Sequence, residues 1–300
     1  MSARIIGPDA ESALDWLALT RALAAGHRLP RAEVRDSFLY RGDDTILSRA
    51  AWIDGLGALV KTATIFPGNP AAGKPTVGGA VSVFDDTDGS LAAMLDFALV
   101  TKWKTAGDSL LAATRLARPD SRRILIVGAG TVAASLHEAY AAAFPQARFA
   151  VWSRTPATAR AFAEARGIEH APDLATAVPE ADIVTCATMS TTPLLRGDWL
   201  RPGQHIDLIG AYRPDMREAD DAVLRRATIH VDSRDTTLDH IGELKIPLAA
   251  GVIARDAVRA DYYDANGMQR TSQEEITLFK NGGGAHLDLM TARYIIDTAG

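Results

Sequence analysis

The stretch Ile124-Leu125-Ile126-Val127-Gly128-Ala129-Gly130-Thr131-Val132-Ala133 runs an apolar strand straight into a Gly-x-Gly-x-x-Ala turn. Helix formers follow from Ala134 to Ala143. In such a turn the first glycine permits the tight bend, here Gly128. The second, Gly130, lets the backbone come close to a pyrophosphate, and Ala133 keeps the next helix near the sheet. The amides of Thr131 and Val132 then open that helix, where an anion is favoured. The glycine pattern alone is weak evidence. A buried strand before it and a helix after it are the context that makes it a dinucleotide-binding turn.

The next strand, Ala147 to Trp152, ends at Ser153-Arg154-Thr155. About 20 residues after the glycines, NAD-preferring sites carry an acid that holds the ribose 2′-hydroxyl. This chain has a hydroxyl and a guanidinium instead, and these suit a 2′-phosphate. NADPH is therefore expected in preference to NADH. Further cofactor contacts are expected where later strands end, at Ala187, Thr188, Met189 and Gly210.

Composition sets the outer limits. The 300 residues suggest two domains, and the apolar fraction of 47% and charged fraction of 23% are ordinary for a soluble globular chain. A net charge of −5 gives no sign of a nucleic-acid or membrane-surface partner. Cys186 stands alone in an apolar run, which leaves no internal disulfide and no cysteine metal cluster, and it reads as a packed thiol. The seven histidines lack metal-ligand spacing, so no metal is expected. No signal-peptide core opens the chain and no apolar run is long enough to span a bilayer, so a cytoplasmic enzyme is expected.

Strands and helices alternate after Arg118-Pro119-Asp120: strands at Ile124–Val127, Ala147–Trp152, Ile183–Ala187, His205–Ile209 and Thr228–Val231. This is the doubly wound α/β pattern, a Rossmann dinucleotide-binding domain over residues 119–285. Residues 1–118 read as an α+β domain. A helix from Pro8 to Ala25 is followed by two strands over Val34–Leu47 around the Arg41-Gly42-Asp43-Asp44 turn, then Gly57–Phe66, Val77–Phe84 and Ser90–Asp96. The long helix Phe97–Ala117 closes it. The C-terminal helix, 286–300, is expected to complete this first domain. A mostly antiparallel sheet leaves a face to cover, and a second copy of the chain would do so, giving a homodimer.

Three cations lie in or beside elements of the first domain: Arg35, Lys61 and Lys104. Lys61 interrupts the apolar strand Leu59-Val60-Lys61-Thr62-Ala63, so its ammonium faces either solvent or an anionic ligand. Lys104 on its helix reads, alone, as a surface lysine. Convergence of the three would suit a carboxylate substrate.

Several further segments resemble the ornithine cyclodeaminase/mu-crystallin family: Val60-Lys61-Thr62, Phe66-Pro67-Gly68-Asn69-Pro70, Gly73-Lys74-Pro75-Thr76-Val77, Thr101-Lys102-Trp103-Lys104-Thr105-Ala106, Trp152-Ser153-Arg154-Thr155 and Arg217-Glu218. The resemblance implies a substrate and dimerisation domain with an inserted Rossmann domain. It also implies an amino or imino acid held by its carboxylate at Arg35, Lys61 and Lys104, with Thr76 beside it and Lys61 in the catalytic role. Two departures stand out. Lys104 replaces an arginine of the cyclodeaminases, and Tyr212 occupies the place of their catalytic aspartate. Tyr is a poor base at neutral pH, so imine reduction is expected rather than ornithine cyclodeamination. The resemblance thus implies NAD(P)H-dependent reduction of a cyclic ketimine acid, Δ1-pyrroline-2-carboxylate or Δ1-piperideine-2-carboxylate. The alternatives are an acyclic imine (alanine-dehydrogenase-like chemistry or iminosuccinate, with Arg49, Arg213 or Lys74 for a second acid), cyclodeamination, and an NADPH-dependent binding protein like mu-crystallin.

Overall fold

The computed structural model describes residues 3–264 and 266–299. The chain divides into two units, Met1–Lys104 with Gly284–Gly300, and Thr105–Gly283. The division falls inside the helix Phe97–Leu116, not at the Arg118-Pro119-Asp120 break where composition changes. The reason is the helix's contacts. Its first turns serve unit 1, where Trp103 stacks on Trp16 at 3.9 Å. Its last turns serve unit 2, where the Leu116 carbonyl accepts from Thr277 Oγ1 and Arg270 Nε.

Unit 1 holds a six-stranded sheet in the order β1-β6-β5-β4-β3-β2. Its strands are β1 (Arg4–Ile6), β2 (Glu33–Arg41), β3 (Asp44–Ile53), β4 (Gly57–Ile65), β5 (Val77–Phe84) and β6 (Leu91–Asp96). β2 to β6 form an antiparallel meander, and β1 joins β6 in parallel. Gly42, at φ +57°, makes the two-residue turn that pairs Arg41 with Asp44. Side chains alternate across the sheet, so directly paired residues share a face. One face presents Ala51, Ile53, Leu59, Ala63, Val81, Val83 and Leu95, all buried. The C-terminal helix Ala285–Thr298 lies over β2 to β5, and the helix Trp16–Gly26 packs on that helix. The helix expected from Pro8 is split: Pro8–Ala13 is a 3-10 helix, and Asp15 caps a new start by accepting from the Ala18 amide at 2.6 Å.

The opposite face of this sheet carries Leu39, Ile46, Trp52, Val60 and Met94, which are 38–66% exposed.

Unit 2 is an eight-stranded, all-parallel sheet in the order β13-β12-β14-β11-β10-β7-β8-β9. Its strands are β7 (Arg123–Val127), β8 (Arg148–Trp152), β9 (Glu169–His170), β10 (Ile183–Cys186), β11 (His205–Leu208), β12 (Thr228–Val231), β13 (Val258–Ala260) and β14 (Thr277–Lys280). The chain winds from β7 to β8 on one side and later to β10 on the other. That places the topological switch point between β7 and β10, where ligands of such sheets bind. β14 lies between β11 and β12, and the sequence pattern had no strand there. The core is aliphatic, with buried polar groups set into it; among them Asp207 accepts from Ser109, Tyr140 and Thr185 at 2.8–3.0 Å. Burial pushes its carboxyl up to about 6, although the three hydroxyls pull it down. Among the described residues no helix is long and apolar enough to cross a membrane.

Candidate active site

In unit 1 the register decides which cations meet. Lys61 on β4 pairs with Arg49 on β3, and Arg49 pairs with Asp36 on β2, so these three share a face. Arg35 pairs with Ala50, which pairs with Val60, so it lies on the other, uncovered face. There its guanidinium donates to the neighbouring Val34 carbonyl and is exposed. The expected convergence of Arg35, Lys61 and Lys104 is therefore corrected. A one-residue step in a strand reverses the side chain, and Arg49 is the arginine on the Lys61 face. Thr76 is half-buried just before Val77, opposite the Ile65 end of β4 and away from Lys61. Lys74 is exposed.

Lys61 is only 4% exposed and Lys104 only 7%. Lys104 is thus no surface lysine. The Lys61 ammonium donates to Asp288 Oδ1 and to Thr101 Oγ1, each at 2.8 Å, and lies 4.7 Å from the centre of the Phe97 ring. Arg49 Nη1 stands 3.8 Å from Asp288 Oδ2 while its other edge grips Asp36 at 2.8 Å. Asp288, fully buried on the C-terminal helix, is the partner that sequence reasoning missed. An acid in the first turn of a helix is what the helix dipole favours anyway, so nothing in the sequence marked it.

The electrostatics follow from burial. Desolvation pulls the Lys61 ammonium down, Asp288 pushes it back up, and Lys104 and Arg49 lower it again, leaving it at about 8. Burial raises the Asp288 carboxyl, but Lys61, Lys104 and Arg49 outweigh it and hold it below its ordinary value. Burial drives His286 down to about 3; Asp288 opposes this, while Lys104, Arg49 and Arg31 add to it, so the ring is neutral at physiological pH. One buried carboxylate therefore faces several cations. A small carboxylate ligand is the natural complement.

In unit 2 the carboxyl ends of the strands form the second cluster. Gly128 sits at φ +118°, and a Cβ there would lie 2.6 Å from the Ala187 carbonyl oxygen, so only glycine allows this approach. Gly130 begins the helix Thr131–Ala143 with no side-chain cap, no acid in the first turn, and open space where a Cβ would stand. Thr131 and Val132 are exposed. The uncapped amides and open glycine fit a pyrophosphate. At the end of β8, Ser153 Oγ donates to the Thr155 carbonyl at 2.8 Å, which fixes the turn, and Arg154 is exposed with no acid beside it among the described residues. Ala187, Thr188 and Met189 follow β10, and Gly210 follows β11. Tyr212 is 54% exposed, and Arg213 behind it is paired with Asp215. Cys186 is buried, and burial pushes its thiol well up, so it is inert packing.

A parallel doubly wound sheet with an uncapped Gly-x-Gly helix, together with an α+β unit that buries paired lysines, defines a two-unit dehydrogenase-type protein. The chain belongs to the ornithine cyclodeaminase/mu-crystallin family, whose sequence pattern matches residues 53–300. It is 54% identical to Delta(1)-pyrroline-2-carboxylate reductase of Paracoccus denitrificans, over 96% of this chain and 94% of that one. Among solved structures it resembles Thermococcus litoralis Delta(1)-pyrroline-2-carboxylate reductase in complex with NADH and L-proline. That match has a TM-score of 0.90 at 25% identity, over 99% of this chain and 97% of that one. It also resembles an archaeal alanine dehydrogenase dimer with bound NAD, with a TM-score of 0.90 at 27% identity, over 100% and 96% of the two chains.

Because Asp288 holds the Lys61 proton in place, Asp288→Asn is expected to move the Lys61 pKa below its value of about 8. NMR titration of reductively 13C-methylated protein, with the Lys61 signal assigned by Lys61→Arg, measures it. An unmoved or raised pKa would contradict the pairing.

Proposed function

We propose that this chain reduces the C=N bond of Δ1-pyrroline-2-carboxylate to give proline, with NADPH or NADH as reductant. The observation that carries this reading is the buried Lys61–Asp288 pair with Lys104 and Arg49 acting on it. It is supported by the 54% identity to a reductase of that name and by the likeness to a reductase that holds NADH and L-proline.

Gly128, Gly130, Thr131 and Val132 would hold the pyrophosphate, Ser153, Arg154 and Thr155 the adenosine end, and Ala187, Thr188, Met189 and Gly210 the nicotinamide end. When bound, the reduced nicotinamide supplies the hydride. The protein's own part is binding and proton supply. Lys61, Lys104 and Arg49 take the substrate carboxylate, and Arg49 takes the place first expected for Arg35. The amine product has one more proton on nitrogen than a neutral imine. The Lys61 ammonium, with its pKa at about 8, holds a proton at neutral pH and can release it. Tyr212, exposed where the cyclodeaminases carry an acid, supplies no base for ornithine chemistry.

The chain is further proposed to work as a homodimer through the uncovered sheet face of Leu39, Ile46, Trp52, Val60 and Met94. Large apolar side chains gathered on one sheet face, here interspersed with Ser37, Ser48 and Thr62, mark a surface that a partner covers.

Purified protein should oxidise NADPH or NADH only when Δ1-pyrroline-2-carboxylate is present, and should be silent with L-ornithine and NAD. The protonated lysine is the active form, so kcat/KM should be full below about pH 8 and fall as pH rises through that value. Lys61→Ala should cost roughly 10²–10⁴-fold, the range of a positioned proton donor. Absence of imine-dependent turnover would sink the reading.

Arg154→Ala should raise the KM for NADPH by about 10-fold or more and that for NADH by less than about 2-fold, since only the former loses a charge-assisted contact. Equal effects would remove Arg154 from 2′-phosphate recognition.

Val60→Asp should turn a particle of twice 32.0 kDa into a monomer in light scattering. A monomeric parent protein, or a variant that stays dimeric, would exclude this face as the interface.

A further inference from the structure

Glu218 is fully buried in unit 2 and takes no direct part in the chemistry described above. Its carboxylate ties together two loops that are far apart in sequence. Oε1 accepts from the Thr188 amide at 2.7 Å and from Thr188 Oγ1 at 2.8 Å. Oε2 accepts from the Gly210 amide at 2.6 Å and, more weakly, from the Ala211 amide at 3.4 Å. Thr188 follows β10 and Gly210 follows β11, so one side chain clamps the carboxyl ends of two neighbouring strands. The clamp is tight. A Cβ on Gly210 would fall 1.8 Å from the Thr188 carbonyl oxygen and 2.6 Å from Glu218 Oε1.

Glu218 is itself held. The carboxylate of Glu243 accepts from the Glu218 amide at 2.7 Å and from the Ala219 amide at 3.0 Å. The Glu218 carbonyl accepts from the amides of Leu194 and Leu195, and the Arg217 amide donates to the Ser190 carbonyl. Lys280, fully buried at the end of β14, donates to the Leu208 and Asn281 carbonyls and places its charge in the field of both glutamates. Burial and Glu243 push the Glu218 carboxyl up to about 8, while Lys280 and the Thr188 donors pull it down. All four of its contacts are donors, so they favour the ionised form, which predominates above about pH 8.

We infer that Glu218 is a positioning residue. It fixes the Thr188 and Gly210 loops as one wall for the nicotinamide end of the cofactor, and Glu243 fixes Glu218. This rests on the dinucleotide reading of unit 2. On that reading, Gly128 to Val132 and Ser153 to Thr155 serve the phosphates and adenosine, and none of them is among the hydrogen-bond partners of the Glu218 carboxylate given above. The clamp should therefore matter for one end of the cofactor and not for the other.

The test compares two ligands by isothermal titration calorimetry: NADPH, and 2′-phospho-ADP-ribose, which lacks the nicotinamide. Glu218→Gln keeps the shape but turns an amide nitrogen toward the donors of one loop. At about pH 9, above the carboxyl's value of about 8, it should weaken NADPH about 10-fold, as loss of charge-assisted hydrogen bonds does, and leave the fragment within about 2-fold of the parent. General loosening of the domain would weaken both alike, and that result overturns the inference, as does an unchanged NADPH affinity. Should Glu218→Gln not fold, Thr188→Val removes one hydroxyl donor at constant shape. It should weaken NADPH about 3-fold with the fragment unmoved, and an equal effect on both or none on NADPH counts against the clamp. A parent protein that binds neither ligand overturns the dinucleotide reading, and the clamp with it.

Discussion

An ammonium group inside a sheet face must be held by something, because burying an unpaired charge costs far more than a folded protein can spare. Lys61 meets that demand with Asp288, and much of unit 1 follows. Asp288 lies on the last helix, so the chain must return after its dinucleotide-type sheet to finish a unit begun at the N-terminus. The ion pair thus links β4 to a residue more than two hundred positions away and accounts for the discontinuous unit. It also explains why Lys61 is not simply neutralised. Burial lowers its pKa and Asp288 raises it, and the balance near 8 leaves the proton present but loosely held.

Unit 2 is governed by a different constraint, the distance between backbones. At Gly128 and at Gly210 the main chain passes so near a neighbouring strand end that a Cβ would collide with backbone oxygen. Such contacts bring three strand ends, those of β7, β10 and β11, into one continuous edge. Backbone polar groups crowded there need partners, and Glu218 supplies them for Thr188 and Gly210. The cost is a second buried carboxylate, Glu243, to hold the first, and a buried lysine to balance the pair.

The dinucleotide half was legible because its signals are local. An apolar strand, two glycines and a helix stand next to one another, and the missing acid after β8 is a single position. β14 was not legible: it is four residues long, ends in Lys280, and is a strand only because β11 and β12 flank it. In unit 1 the meander of strands was read, without β1 and with β3 ended at Leu47 rather than Ile53, while the faces of the strands were not. Arg35 and Arg49 are both arginines in strands, and only the pairing of β2 with β3 and β3 with β4 says which one shares a side with Lys61. Asp288 and Glu218 act through partners distant in sequence, so no spacing rule could have found them.

The surplus of cations in unit 1 also bears on which substrates fit. Arg49 divides itself between Asp36 and Asp288, and Asp288 is already bonded to Lys61. A substrate with one carboxylate balances this cluster, whereas a second acid would need a cation of its own. Lys74, Arg213 and Arg49 were candidates for that role. Lys74 is exposed beside a turn, and Arg213 is bound to Asp215. Of the three, only Arg49 lies among the groups that act on Lys61, and its guanidinium is already shared between Asp36 and Asp288. The charge inventory around Lys61 therefore favours a monocarboxylic imine over a dicarboxylic one.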